Sequence, residues 1–265
     1  MIKNIHKTSK VLLSIFIVFS ISMGLLFLKD ENTVQNLSYM TVSTLIFVLL
    51  IWIDMFKVLG SAKAIWFIAI SALISLFSEY LGVNGCVVFS GTYQYNHAMG
   101  IALGGVPLIV IAMWTAVVYI CYRIAVLISN KKEALKNKSE EFIRCLIIAL
   151  LSGLMAVSWD LVWDPLAVKA NTWAWNATSP YFGIPLYNFT SWIIIVFLSV
   201  SIFQLTTKND KKESNDIVVP FLGYFYIFIS TFILAFHFNQ PHFALLAFII
   251  MSPYLLITIL LKLKK

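Results

Sequence analysis

Eight apolar runs divide the chain and limit what it can fold into. They are Val11–Leu28, Met40–Phe56, Ala64–Leu81, Ile101–Ile128, Phe142–Val162, Leu186–Leu205, Val218–Phe238 and Phe243–Leu261. Each is near the ~20 residues that an α-helix needs to cross the hydrocarbon core of a bilayer. The fourth is long, so it either begins as loop or tilts strongly. Charged residues make up 12% of the chain, about half of the ~25% of a soluble domain. The segments between runs leave no room for a soluble domain. The expected fold is all-α: a polytopic membrane helical bundle of about eight transmembrane helices, one integral membrane domain over residues 1–265.

Charge placement gives an orientation. With a cytoplasmic N-terminus and alternating spans, all but Lys29 and Lys169 of the 19 Lys and Arg residues fall on the cytoplasmic side. This positive-inside bias puts both termini in the cytoplasm of a multi-pass cell-membrane protein. The net charge of +7 is therefore topological. It does not indicate nucleic acid as a partner, because no basic patch is interleaved with base-stacking aromatics. Lys3, Lys7 and Lys10 precede the first run as in a signal peptide, but that run continues through Leu28, longer than a usual h-region. It is expected to be a retained span. Cys86, Cys121 and Cys145 have no metal-like spacing and read as buried thiols. No histidine cluster accompanies them, so no metal or cofactor is expected.

Two loops stand apart. One runs from Glu79 to Leu108 and the other from Asp160 to Leu186, both rich in Gly, Pro, Asn, Tyr and Trp. They end alike. Gly105-Val106-Pro107-Leu108 precedes Trp114, and Gly183-Ile184-Pro185-Leu186 precedes Trp192, with the same Gly-to-Trp spacing. Each follows a run that ends on carboxylates. The third and fourth runs thus resemble the fifth and sixth, as in a parallel internal repeat with its axis along the membrane normal. If the halves face each other, Glu79 approaches Asp160 and Asp164 across a central cavity. Pro107 and Pro185 are expected in the first turn of the helix that follows, where a missing N–H is harmless.

Four acids lie in or beside the apolar runs: Asp54, Glu79, Asp160 and Asp164. A carboxylate at membrane depth is costly and points to function by default. Asp160 and Asp164 are one helical turn apart and share a face. Trp159 and Trp163 form an adjacent stripe, and Pro165 is expected to end or kink the helix. Ser71, Ser75 and Glu79 form a second polar stripe. Asp54, near Lys57, reads as a solvated ion pair. Structural readings exist for the rest: an interfacial turn at Asp164-Pro165, a structural Glu79, an aromatic belt. A belt does not account for Tyr93-Gln94-Tyr95 and Trp173-Ala174-Trp175 inside polar loops. Acids and aromatics without a cofactor motif leave acid–base chemistry on a hydrophobic substrate, or transport.

The motif-bearing core, about residues 75–195, resembles the membrane carotenoid-biosynthesis hydratase family of gamma-carotene 1′,2′-hydratases and bisanhydrobacterioruberin hydratases. The residues that carry the resemblance are Glu79, Gly82, Gly91, Tyr93, Tyr95, Gly105, Pro107, Trp114, Asp160, Asp164, Pro165, Trp173, Trp175, Tyr181, Gly183, Pro185, Asn188, Phe189 and Trp192. Ser191 and Ser90 depart from the pattern. The chain is also rich in Lys, Asn, Ile and Phe, as in AT-rich genomes, many of whose hosts make no carotenoids. This composition widens the expected substrate from carotenoids to related polyprenyl lipids. The resemblance implies cofactor-independent, acid-catalysed addition of water to a terminal isoprene double bond, giving a tertiary alcohol. Asp160 would be the acid, with Asp164 or Glu79 orienting water. Tyr93, Tyr95, Trp114, Trp159, Trp163, Trp173, Trp175, Tyr181, Asn188 and Trp192 would line the substrate site, and the partners would be a lipophilic isoprenoid and membrane lipid. A proton-coupled transporter would also use a repeat and buried acids. A membrane terpenoid cyclase would use the same carboxylates without water.

Overall fold

The computed structural model describes residues 11, 12, 15–19, 22, 37–85, 93–129, 138–176, 179–207 and 216–263. Among them, seven helices are long and apolar enough to cross a membrane. They are α1 (Leu37–Leu59), α2 (Ser61–Val83), α3 (Leu108–Ser129), α4 (Lys138–Lys169), α5 (Leu186–Thr206), α6 (Val218–His237) and α7 (Pro241–Leu263). The chain is an all-α, multi-pass membrane protein. Large apolar side chains such as Leu73, Phe77, Leu245 and Phe248 stand exposed on the helix surfaces. In water such a surface would be costly, but in lipid it is matched to its solvent. Of the expected first span, Leu12 and Phe16 are buried, and Phe16 meets Tyr226 edge-on at 5.1 Å. Most of that span lies outside the described residues, as does Cys86. Cys121 and Cys145 are buried free thiols.

The fourth run does not begin as helix, one of the two readings that its length left open. Strand β2 (Ala102–Leu103) pairs antiparallel with β3 (Val106–Pro107). The connection is Gly104-Gly105, at φ 60° and 88°, and a two-residue turn with positive φ matches the twist of a hairpin. Helix α3 starts only at Leu108. The fifth run does not stop at Pro165 either, because α4 continues to Lys169. It ends where Asn171 takes a left-handed φ of 58° and Thr172 N–H bonds back to Ala167 O at 3.0 Å, a helix-closing turn. Proline in a helix interior leaves the carbonyl four residues earlier without its donor. That carbonyl belongs to Leu161, and it accepts the Tyr181 hydroxyl at 2.6 Å. A side chain from the following loop replaces the missing N–H, so the helix passes through the proline.

The repeat is visible in the packing. Helix α2 packs on α3 and α5, and α4 packs on the same two. Exchanging α2 with α4 and α3 with α5 leaves that pattern unchanged. The linking motifs match in backbone as well. Gly105 and Gly183 both take positive φ, 88° and 83°, a conformation that costs a glycine nothing. Val106 and Ile184 are fully buried. Pro107 and Pro185 lie immediately before the helices that begin at Leu108 and Leu186, one residue earlier than expected. Strand β1 (Tyr93–Tyr95) of the first loop pairs antiparallel with β4 (Trp173–Trp175) of the second, in the register Tyr93↔Trp175 and Tyr95↔Trp173.

Candidate active site

Residues two apart on a strand point to the same side. Tyr93 and Tyr95 therefore project together, as do Trp173 and Trp175, and both pairs turn toward carboxylates. Glu79 Oε2 accepts the hydroxyls of Tyr93 and of Tyr95, the latter at 2.7 Å, and Oε1 accepts Trp114 Nε1–H at 2.7 Å. Asp164 is wired in the same way. Its Oδ1 accepts Trp173 Nε1–H and, at 3.1 Å, Trp175 Nε1–H, while Oδ2 accepts Asn188 Nδ2–H at 3.0 Å. In each half a strand pair grips one oxygen and a donor from the next helix grips the other. Glu79 and Asp164 are thus equivalent by contact.

Asp160 breaks the symmetry. It lies one turn before Asp164, where the first half has Ser75 one turn before Glu79. Ser75 is buried and donates to Ala72 O within its own helix at 3.2 Å; Ser71 likewise donates to Phe67 O at 2.6 Å. That stripe is satisfied locally. Asp160 is 2% exposed and, among the described residues, accepts from Asn188 Nδ2–H at 2.9 Å. One amide therefore bridges two carboxyl groups.

The three acids line one cavity, with an empty volume of about 890 Å³ including its mouth. Strands β1 and β4 cover it. Met40, Thr41 and Thr44 of α1 and Ile109, Val110 and Met113 of α3 form its apolar side. Aromatic rings form the rest. Trp114 and Trp192, which hold the same place in the two halves, stack with centroids 3.8 Å apart. Trp159 meets Trp192 edge-on at 5.7 Å and lies 5.5 Å from Trp163. Trp159 Nε1–H is buried without an acceptor among the described residues. Such a donor calls for a bound water or ligand.

Of the residues expected at the site, Glu79, Asp160, Asp164, Tyr93, Tyr95, Trp114, Trp159, Trp163, Trp173, Trp175, Asn188 and Trp192 line this cavity. Tyr181 does not; its hydroxyl is committed to Leu161. Burial first, then the nearby Asp160 and Asp164, push that hydroxyl's pKa up to about 12. Tyr95 is raised well above the usual tyrosine range, by burial and then by Glu79. Asp54 is not solvated. It is 5% exposed and accepts the Tyr119 hydroxyl at 2.9 Å, because α1 turns it inward, away from lipid. The wall contributed by α1 was not foreseen either, since Met and Thr in an apolar run carry no distinguishing signal.

A multi-pass helical membrane protein with a doubled, aromatic-gripped carboxylate site is the class this fold and cavity define. A family model described as carotenoid biosynthesis protein matches residues 37–253, and the chain belongs to that family. Neither a curated protein nor a solved structure matches it.

Proposed function

We propose that the protein hydrates a terminal isoprene double bond of a carotenoid or related polyprenyl lipid. The observation that carries this reading is the asymmetry at Asp160. An ionised carboxylate only accepts hydrogen bonds, whereas a carboxyl group must also place a proton. Glu79 and Asp164 each receive three donors and suit the accepting role. Among the described residues Asp160 receives one, which leaves it an oxygen that can carry and deliver a proton. Acid–base sites commonly assign carboxyl groups in contrasting environments to the two roles.

In this mechanism the double bond takes the Asp160 proton at its less substituted carbon. A tertiary cation forms at the other carbon. The faces of Trp159, Trp163 and Trp192 shelter it by cation–π attraction, worth about 0.5–2 kcal/mol for each well-placed ring. Water adds to the cation, and the proton it releases passes to Asp164 or Glu79 and returns to Asp160. The net change is addition of one water. The positive-inside bias supports a chamber toward the outer leaflet, with both termini in the cytoplasm.

The test uses membranes containing the full chain, an acyclic carotenoid and heavy-oxygen water. The expected product is a tertiary alcohol carrying the label. Asp160→Asn keeps the shape and removes the proton, so turnover falls about 100- to 10,000-fold, the usual share of general acid–base catalysis. Trp163→Leu loses about tenfold, the middle of the cation–π range. Unlabelled cyclised product would identify a cyclase instead, and near-normal turnover in both Asp160→Asn and Asp164→Asn would remove the mechanism from these residues.

A further inference from the structure

The chamber continues past Trp159 and Trp163. A second cavity, with an empty volume of about 830 Å³, shares Met40, Thr44, Met113, Trp159 and Trp163 with the first. The rest of its wall is Ser43 and Phe47 of α1 and residues of α6 from Tyr226 to Leu234, with no carboxylate or cation among them. Its deepest residues along the two helices are Phe47 and Tyr226, whose rings lie 5.2 Å apart. Phe16 closes on Tyr226 from behind at 5.1 Å. Among the described residues the wall is thin toward the outside of the bundle. Ile229 lines the cavity and is also 36% exposed, and Ser230 and Ile233 beside it are half-buried.

A length argument says what this space is for. From Met40 to Phe47, α1 advances about 10 Å at ~1.5 Å per residue. An extended chain of many isoprene units is longer than that, and the Phe47 and Tyr226 rings stand in the way of further descent. A long chain with its end among the carboxylates therefore has to turn out of the protein. Among the described residues, the way out is between α1 and α6, past Ile229 and Ser230. The geometry points to this second cavity as the passage that leads the hydrocarbon chain of a polyisoprenoid from the carboxylates to the bilayer, so that the protein reads the chain's end and not its length. The inference rests on the acid chamber being where that end reacts.

Cross-linking tests it without requiring turnover. The probe is an acyclic polyprene hydrocarbon with a diazirine on the third isoprene unit from one end, added to membranes containing the full wild-type chain. Labelled peptides are expected to map to residues 40–47 and 226–234, and labelling confined to the lipid face of α7 would overturn the passage. Because this readout needs no product, labelling at the expected segments without any hydration would leave the passage standing and remove only the proposed reaction. A second experiment compares substrates. Ser230→Trp should lower turnover of long polyprenes at least tenfold and leave that of the shortest unchanged. Equal loss across the series, or none, would overturn the inference.

Discussion

Tyr181 and Pro165 are sixteen residues apart in sequence and meet at one carbonyl. The Tyr181 hydroxyl gives Leu161 O the hydrogen bond that a proline cannot give, and a net bond of this kind is worth about 1 kcal/mol. Tyr181→Phe should destabilise the protein in detergent by about that much. In a Pro165→Ala background, where an amide again faces Leu161, the same substitution should cost little. A double-mutant cycle by thermal unfolding checks this, and additive losses would disprove the pairing. The pH dependence has a definite sign. Because the folded protein holds the Tyr181 proton more tightly than a free tyrosine does, the bond's contribution is complete below the usual tyrosine value of ~10. It is lost as pH rises through about 12. At this scale the sequence disclosed some roles and hid others. Asp160 and Asp164 declared themselves, because a charge in an apolar run is costly wherever it points. Tyr181 did not, because its partner is a backbone carbonyl with no side-chain identity. Asp54 misled, because a lysine nearby in sequence says nothing of burial, and α1 turns the acid inward to the Tyr119 hydroxyl.

The short strands join the two halves. Tyr-x-Tyr and Trp-x-Trp have the period of two that makes both aromatics of each pair face one way, but three residues are too few to mark a strand, and the sequence reading leaves both segments in loops. Which strand pairs with which was not legible either, because register depends on how the helices beneath are arranged. The pairing predicts a cross-link. Gln94 lies opposite Ala174, and directly opposed residues of an antiparallel pair have Cα atoms ~4.5–5.5 Å apart, within disulfide range. Gln94→Cys with Ala174→Cys should cross-link on mild oxidation, seen by mass spectrometry of the joined peptides. Gln94→Cys with Asn176→Cys should not, and equal yields from both would refute the register. Hydropathy placed the helices well, and the excess length of the fourth run left room for the loop start found at residues 101–107. Ile101, Ala102 and Leu103 are as apolar as helix residues, and only the paired glycines distinguish the hairpin from a helix start.

For the whole molecule, the charge pattern gives a testable orientation. Reporter fusions at Lys136 and Lys211 should read cytoplasmic and one at Thr172 external; a cytoplasmic Thr172 fusion would invert the bundle and move the chamber to the other leaflet. The repeat has a consequence for how the protein is made. The donors of Glu79 follow it by 14, 16 and 35 residues, and those of Asp164 follow it by 9, 11 and 24. Each acid therefore receives its partners from the stretch of chain that leaves the ribosome next, without waiting for the other half. An aspartate entering hydrocarbon alone costs about 2.5–3.5 kcal/mol at the centre of a helix, and that penalty is greatest while a nascent span has no neighbours. Local wiring shortens this interval. Each half can be threaded into the bilayer with Glu79 or Asp164 already held by its own hydrogen-bond donors, and the two can dock afterwards through Trp114 and Trp192.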